Sequence, residues 1–245
     1  MKILICALAV VLLFPASPIH GQTYTEGDTL FVVAQSGLRL RTSPNTEAGT
    51  IRILEYGDPV VVSNTYGFDE AYHEKSNWLD GQWIQVTAHR VTGYLFDAYL
   101  TALAPVSHED ELCSEPMRFS APVQTYLAHH YPVKWDEHGG EHREDIDQCI
   151  TYYAPHIALT VTSGQGWYKT DVEFDGYRLS EVVNLLRSML IGNDMLKLFD
   201  DSLTFYTDSQ GMTSRIRGGL DDYRISIEKR GDSLIVVSFT ELIDG

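Results

Sequence analysis

Between residues 29 and 103 apolar and polar positions alternate in short runs, separated by Gly, Asn and Asp. Residues 29–35, 38–42, 50–54, 59–63, 83–86 and 93–96 each read as a strand, because side chains of period two line one face of a pleated backbone. Ser36-Gly37 and Glu55-Tyr56-Gly57-Asp58 carry turn chemistry between them. Short strands at this spacing predict a small β-barrel.

Beyond residue 116 the pattern changes. Residues 117–130 suggest a short helix, and residues 138–147 are dense in charge and histidine and read as an exposed loop. Strands are predicted over 156–162 and 167–174, turned by Ser163-Gly164-Gln165-Gly166. Leu179, Val182, Val183, Leu186, Met189 and Leu190 recur at helical spacing, which predicts an amphipathic helix ended by Gly192-Asn193. Three further strands follow over 203–207, 222–228 and 234–240, the last two joined through Lys229-Arg230-Gly231-Asp232. A helix laid on an antiparallel sheet is an α+β domain. The predicted fold class is therefore a small SH3-like β-barrel followed by an α+β domain with one main amphipathic helix.

Composition narrows the classes of function. With 44% apolar residues the chain of 245 can bury a sizeable core, so wholesale disorder is not expected. A formal charge of -16 opposes binding to nucleic acid or to an anionic lipid surface. Lys2, the apolar run over 3–14 and Pro15-Ala16-Ser17-Pro18 have the layout of a cleaved signal peptide, with Gly21 at the cleavage point. That run is too short for permanent membrane insertion across about 30 Å of hydrocarbon. The expected protein is exported, periplasmic or extracellular. In such a compartment Cys113 and Cys149 are expected to form a disulfide, worth about 3–4 kcal/mol in the chain-entropy picture. The expected organisation is a signal peptide over 1–21, a barrel domain over 22–105, a linker over 106–116 and the α+β domain over 117–245.

Four motifs in order carry a family resemblance. They are Leu38-Arg39-Leu40-Arg41-Thr42-Ser43-Pro44, Tyr56-Gly57-Asp58 before the valine strand, Trp83-Ile84-Gln85-Val86, and Gly93-Tyr94-Leu95-Phe96-Asp97-Ala98-Tyr99-Leu100. Together, over about 75 residues, they resemble the bacterial SH3 (SH3b) domain family, with Arg39 in place of the usual Asn and Tyr94 in place of the usual Trp. The resemblance implies a recognition module for cell-wall peptide or an envelope protein, and not a catalyst. An insertion over 64–81 holds Tyr66, Phe68, Tyr72 and Trp78 among acidic residues. Aromatics on a long loop suit a binding surface or a plug over the barrel end. Tyr66, Trp78 and Tyr94 are the candidate binding residues. Arg39 and Arg41 are expected to point outward together, as scaffold for surface loops.

Candidate chemistry elsewhere is weaker. His138-Gly139-Gly140-Glu141-His142 matches a zinc-peptidase pattern, but its two glycines oppose the helix that the chemistry needs. A looser metal site among His129, His130, Asp136, Glu137, His138, Glu141 and His142 competes with a plain acidic loop. Cys113-Ser114 lacks the flanking Asp and Gly of an NlpC-type cysteine peptidase, leaving only His156 as an imagined base. Arg230-Gly231-Asp232-Ser233 spells an adhesion tetrapeptide, yet Gly-Asp is also what a tight turn wants. The expectation is an exported, non-enzymatic binding protein with no cofactor and no metal. A cysteine or metal hydrolase in the second half and a structural spacer in an envelope complex are the alternatives.

Overall fold

The computed structural model describes residues 24–64, 80–107, 120–138, 146–153, 156–189, 201–209, 211–220 and 222–242. The first sheet holds β1 (Thr29–Val32), β2 (Leu38–Arg41), β3 (Thr50–Leu54), β4 (Pro59–Asn64), β5 (Trp83–Ala88), β6 (Val91–Phe96) and β7 (Leu100–Thr101). A single 3-10 turn, Asp97–Tyr99, joins β6 to β7. The strands are antiparallel in the order β3-β2-β6-β5-β4-β1-β7. Alternation fills the core as the sequence suggests: Leu30, Val32, Leu40, Val60, Val62, Ile84, Val86 and Leu95 pack together on one face.

Helix α1 (Ala121–His130) precedes the second sheet, and α2 (Leu179–Met189) lies in its middle. The strands of that sheet are β8 (Val133–His138), β9 (Asp147–Tyr153), β10 (Ile157–Gly164), β11 (Trp167–Asp175), β12 (Thr204–Thr207), β13 (Thr213–Leu220), β14 (Tyr223–Arg230) and β15 (Leu234–Leu242). They run antiparallel in the order β12-β13-β14-β15-β11-β10-β9-β8. The register separates two faces. Leu159, Val172, Val237, Ile227, Ile216 and Phe205 stand in one row across six strands and face the core. Trp135, Tyr152, Ala158, Glu173, Val236, Glu228, Arg215 and Tyr206 stand in a row of the opposite face.

The expected fold class, a small SH3-like barrel followed by an α+β domain, is corrected by this architecture. The protein is mostly β, with two large antiparallel sheets and, among the described residues, only two short helices. No barrel closes, because β3 and β7 end the first sheet without pairing to each other. β7 is only two residues long, so it offers little ladder for closure. Nor does α2 cover a sheet of its own. It is wedged between the two sheets, and its Val182, Val183, Leu185, Leu186 and Met189 share one buried cluster with Trp83, Phe96, Ala98 and Leu103 of the first half.

Candidate functional site at the junction of the two sheets

Helix α2 carries two stripes. The apolar one, Val182, Leu186 and Met189, enters the shared core. The second, Glu181, Asn184 and Ser188 at i, i+3 and i+7, is polar, and all three residues are buried. Arg178 stands just before the helix and completes this face. The stripe meets the end of the first sheet, where the 3-10 turn presents Asp97, Ala98 and the start of β7.

Glu181 does two jobs. Its Oε2 accepts the N–H of Arg178 at 2.8 Å, the reach-back half of a capping box that satisfies an orphan donor at the helix start. Its Oε1 accepts the N–H of Ala102 at 2.7 Å, tying α2 to the first sheet. Asp97, fully buried, accepts the N–H of Gln82 on Oδ1 at 2.7 Å, while its Oδ2 pairs with Nη1 of Arg178. Asn184 donates from Nδ2 to the Ala98 carbonyl at 2.7 Å, and Ser188 donates to the Asn184 carbonyl at 2.8 Å. The Arg178 guanidinium also lies 5.5 Å from the ring centroid of Tyr24, within cation-π range.

Two carboxylates out of water therefore feel one guanidinium, Asp97 by direct pairing and Glu181 through its charge. Burial pushes both Asp97 and Glu181 above the usual carboxylate range, and Arg178 and the N–H donors pull back only part of that shift. Burial also raises Tyr24, with the Glu181 charge adding to it. Chemically the cluster is a positioning device: each carboxylate takes one donor from its own half and one from the other, and Asn184 adds a third crossing bond. Further bonds cross nearby. The Thr213 N–H donates to Asp80 Oδ2 at 2.7 Å, the Ala104 N–H to the Tyr131 hydroxyl at 3.1 Å, and the Tyr126 hydroxyl to the Ala104 carbonyl at 2.6 Å.

The residues singled out in the sequence fall elsewhere. Tyr94 sits half-buried on β6 against the shared core, where the Gln85 amide donates to its hydroxyl at 3.3 Å. Tyr66 and Trp78 lie outside the described residues. Arg41 donates to the Ala48 carbonyl at 2.8 Å, the scaffold role expected of it, whereas Arg39 is exposed. Cys149 is a free thiol on β9, and Cys113 lies outside the described residues. Among the described residues no group of three or more His, Cys, Asp and Glu side chains is placed to hold a metal ion. The side chains of Glu137 and His138, and residues 141 and 142 altogether, are outside that set. Gly231, with φ of +64°, turns β14 into β15, so the Arg-Gly-Asp string is explained by the turn. Among the described residues no helix is long and apolar enough to cross a membrane.

Two features had no advance signal. A polar stripe at helical spacing reads as a solvated face, so Glu181, Asn184 and Ser188 look unremarkable until the first sheet is placed over them. The other is an aromatic pair on the outer face: Trp135 of β8 stacks on Tyr152 of β9, ring centroids 4.5 Å apart, and remains 51% exposed. No family model, no curated protein and no solved structure matches the chain.

Proposed function

We propose that this is an exported binding protein of the cell envelope, recognising cell-wall peptide or an envelope protein without performing chemistry of its own. The ordered motifs from Leu38 to Leu100 suggest such a role, and the signal-like leader suggests the compartment. The observation that supports the reading most directly is the Trp135–Tyr152 stack. A half-exposed indole held by a neighbouring ring is costly to leave in water, and rigid aromatics supply contact area at little entropic cost. The buried polar groups, by contrast, are spent on joining the sheets.

The test uses the full chain. It is mixed with purified cell wall and sedimented, and in parallel it is immobilised to retain envelope proteins. Saturable retention by one of the two is expected, and Trp135→Ala is expected to weaken it by about tenfold, the scale of one well-packed aromatic anchor. Retention by neither would remove the support for a binding role.

A further inference from the structure

Among the described residues strand β3 ends the first sheet and pairs only with β2, so one side of its backbone has no strand neighbour there. Sheet edges of this kind are open templates unless they are blunted. Here Thr50, Ile51, Arg52 and Ile53 are all exposed in succession. Ile51 is 39% and Ile53 59% exposed, the latter the highest value among the large exposed hydrophobics described. Ile53 stands directly across from Arg39, so these two share a face, while the register shifts between Leu40 and Arg41 and leaves Ile51 as the extra, unpaired residue of a bulge. Arg52 stands across from Leu40 and belongs to the other face.

Neither Arg39 nor Arg52 has an ion pair or side-chain hydrogen bond among the described residues, in a protein whose formal charge is -16. Arg52, a free guanidinium on the edge strand of an acidic protein, asks for a carboxylate. A second copy of this chain fits badly. Antiparallel pairing of β3 with itself about its centre would set Arg52 against Arg52, and like charges directly opposite are destabilising. Arg52 is the one charged residue of Thr50 through Leu54, and the acidic Glu55 follows the strand directly.

We propose that the β3 edge is a docking site for an extended acidic peptide, which adds as a strand. Its backbone completes the ladder of β3. Apolar side chains on one of its faces cover Ile53, and carboxylates on the other reach Arg52. The site lies on the first sheet and does not involve the Trp135 surface of the second.

The probe is a capped, fluorescent octapeptide of alternating Val and Glu, with the Val/Lys octapeptide as its counterpart, titrated by anisotropy into the full chain. The Val/Glu peptide is expected to bind at least about tenfold more tightly than the Val/Lys peptide, and to weaken as salt is raised. Arg52→Glu is expected to weaken it by at least about fivefold and Ile53→Lys by about tenfold. Both side chains are exposed, and unchanged circular dichroism confirms that the variants are folded. Failure of the Val/Glu peptide to bind, equal binding of both peptides, or indifference to both substitutions would overturn the proposal. So would a dimer in sedimentation equilibrium that Ile53→Lys dissolves, since the edge would then be taken by a second copy. Wall retention that survives Ile53→Lys would leave the binding role intact while the octapeptide result decides the edge.

Discussion

At the residue scale, Arg178 is one cation serving two buried carboxylates. Each unpaired ion out of water costs several kcal/mol, so the cluster holds protons more readily than a solvated Asp or Glu would. The folded values of Asp97 and Glu181 lie above the unfolded ones, with burial as the first cause. A folded state that binds protons more tightly gains stability at low pH. That gain is complete below the unfolded carboxylate value of about 4 and is lost as pH climbs through the raised folded values. Glu181→Gln cannot ionise, although it surrenders one of the two acceptors now serving Arg178 and Ala102. We expect its melting temperature to fall less steeply than that of the native protein as pH rises from about 4. Scanning calorimetry on both proteins over that window measures the difference, in which the contributions of all other groups cancel. Parallel slopes would show that Glu181 does not carry the effect.

At the element scale, close backbone approach decides one position that pattern alone does not explain. Where β6 meets β2, a Cβ at Gly93 would stand 2.8 Å from the Arg41 carbonyl oxygen and 2.8 Å from Leu40 Cγ. The first neighbour is backbone and cannot swing aside. Gly93→Ala is expected to cost about 1–3 kcal/mol, the usual range for overpacking, read as a lower urea midpoint with unchanged slope. An unmoved midpoint would mean that the strands separate freely at this point. Most elements were legible in the chain: β1 to β6 follow apolar alternation, and α2 follows the expected apolar spacing from Leu179 to Met189, the last described residue there. Four strands were not. β7 is only two residues long, too short for alternation to mark. The register of β8 shifts between Val133 and Trp135, which breaks the alternation that marks a strand. β9 is polar at Asp147, Gln148 and Thr151. β13 contains Gly218-Gly219, which reads as a breaker. Each is held by its neighbours in the sheet, and that is information no local window contains.

At the scale of the whole molecule, the same limit explains why a barrel was expected and an open sheet found. Strand positions are local, but whether β3 meets β7 depends on pairings far apart in the chain. The junction was hidden for a related reason. Glu181, Asn184 and Ser188 acquire their meaning only from Ala102, Ala98 and Gln35, which lie 79, 86 and 153 positions earlier. This joint has a consequence for unfolding. Trp83, Phe96 and Leu103 of the first half are buried in one cluster with Val123, Phe174, Val183 and Ile227 of the second. Separating the sheets would bring those side chains into water at about 25 cal/mol per Å2 of apolar surface, and would strip Asp97 of Arg178 and Glu181 of the Ala102 N–H. We therefore expect one cooperative transition, with calorimetric and van't Hoff enthalpies in agreement. Substituting Asn184→Ala, which removes the bond to the Ala98 carbonyl, should lower that single midpoint without splitting it. The slowest-exchanging amides of β5 and β15 should open with the same free energy. Two resolved transitions, or core amides of the two sheets that open at different free energies, would show that the halves fold as separate units and that the buried cluster only glues them.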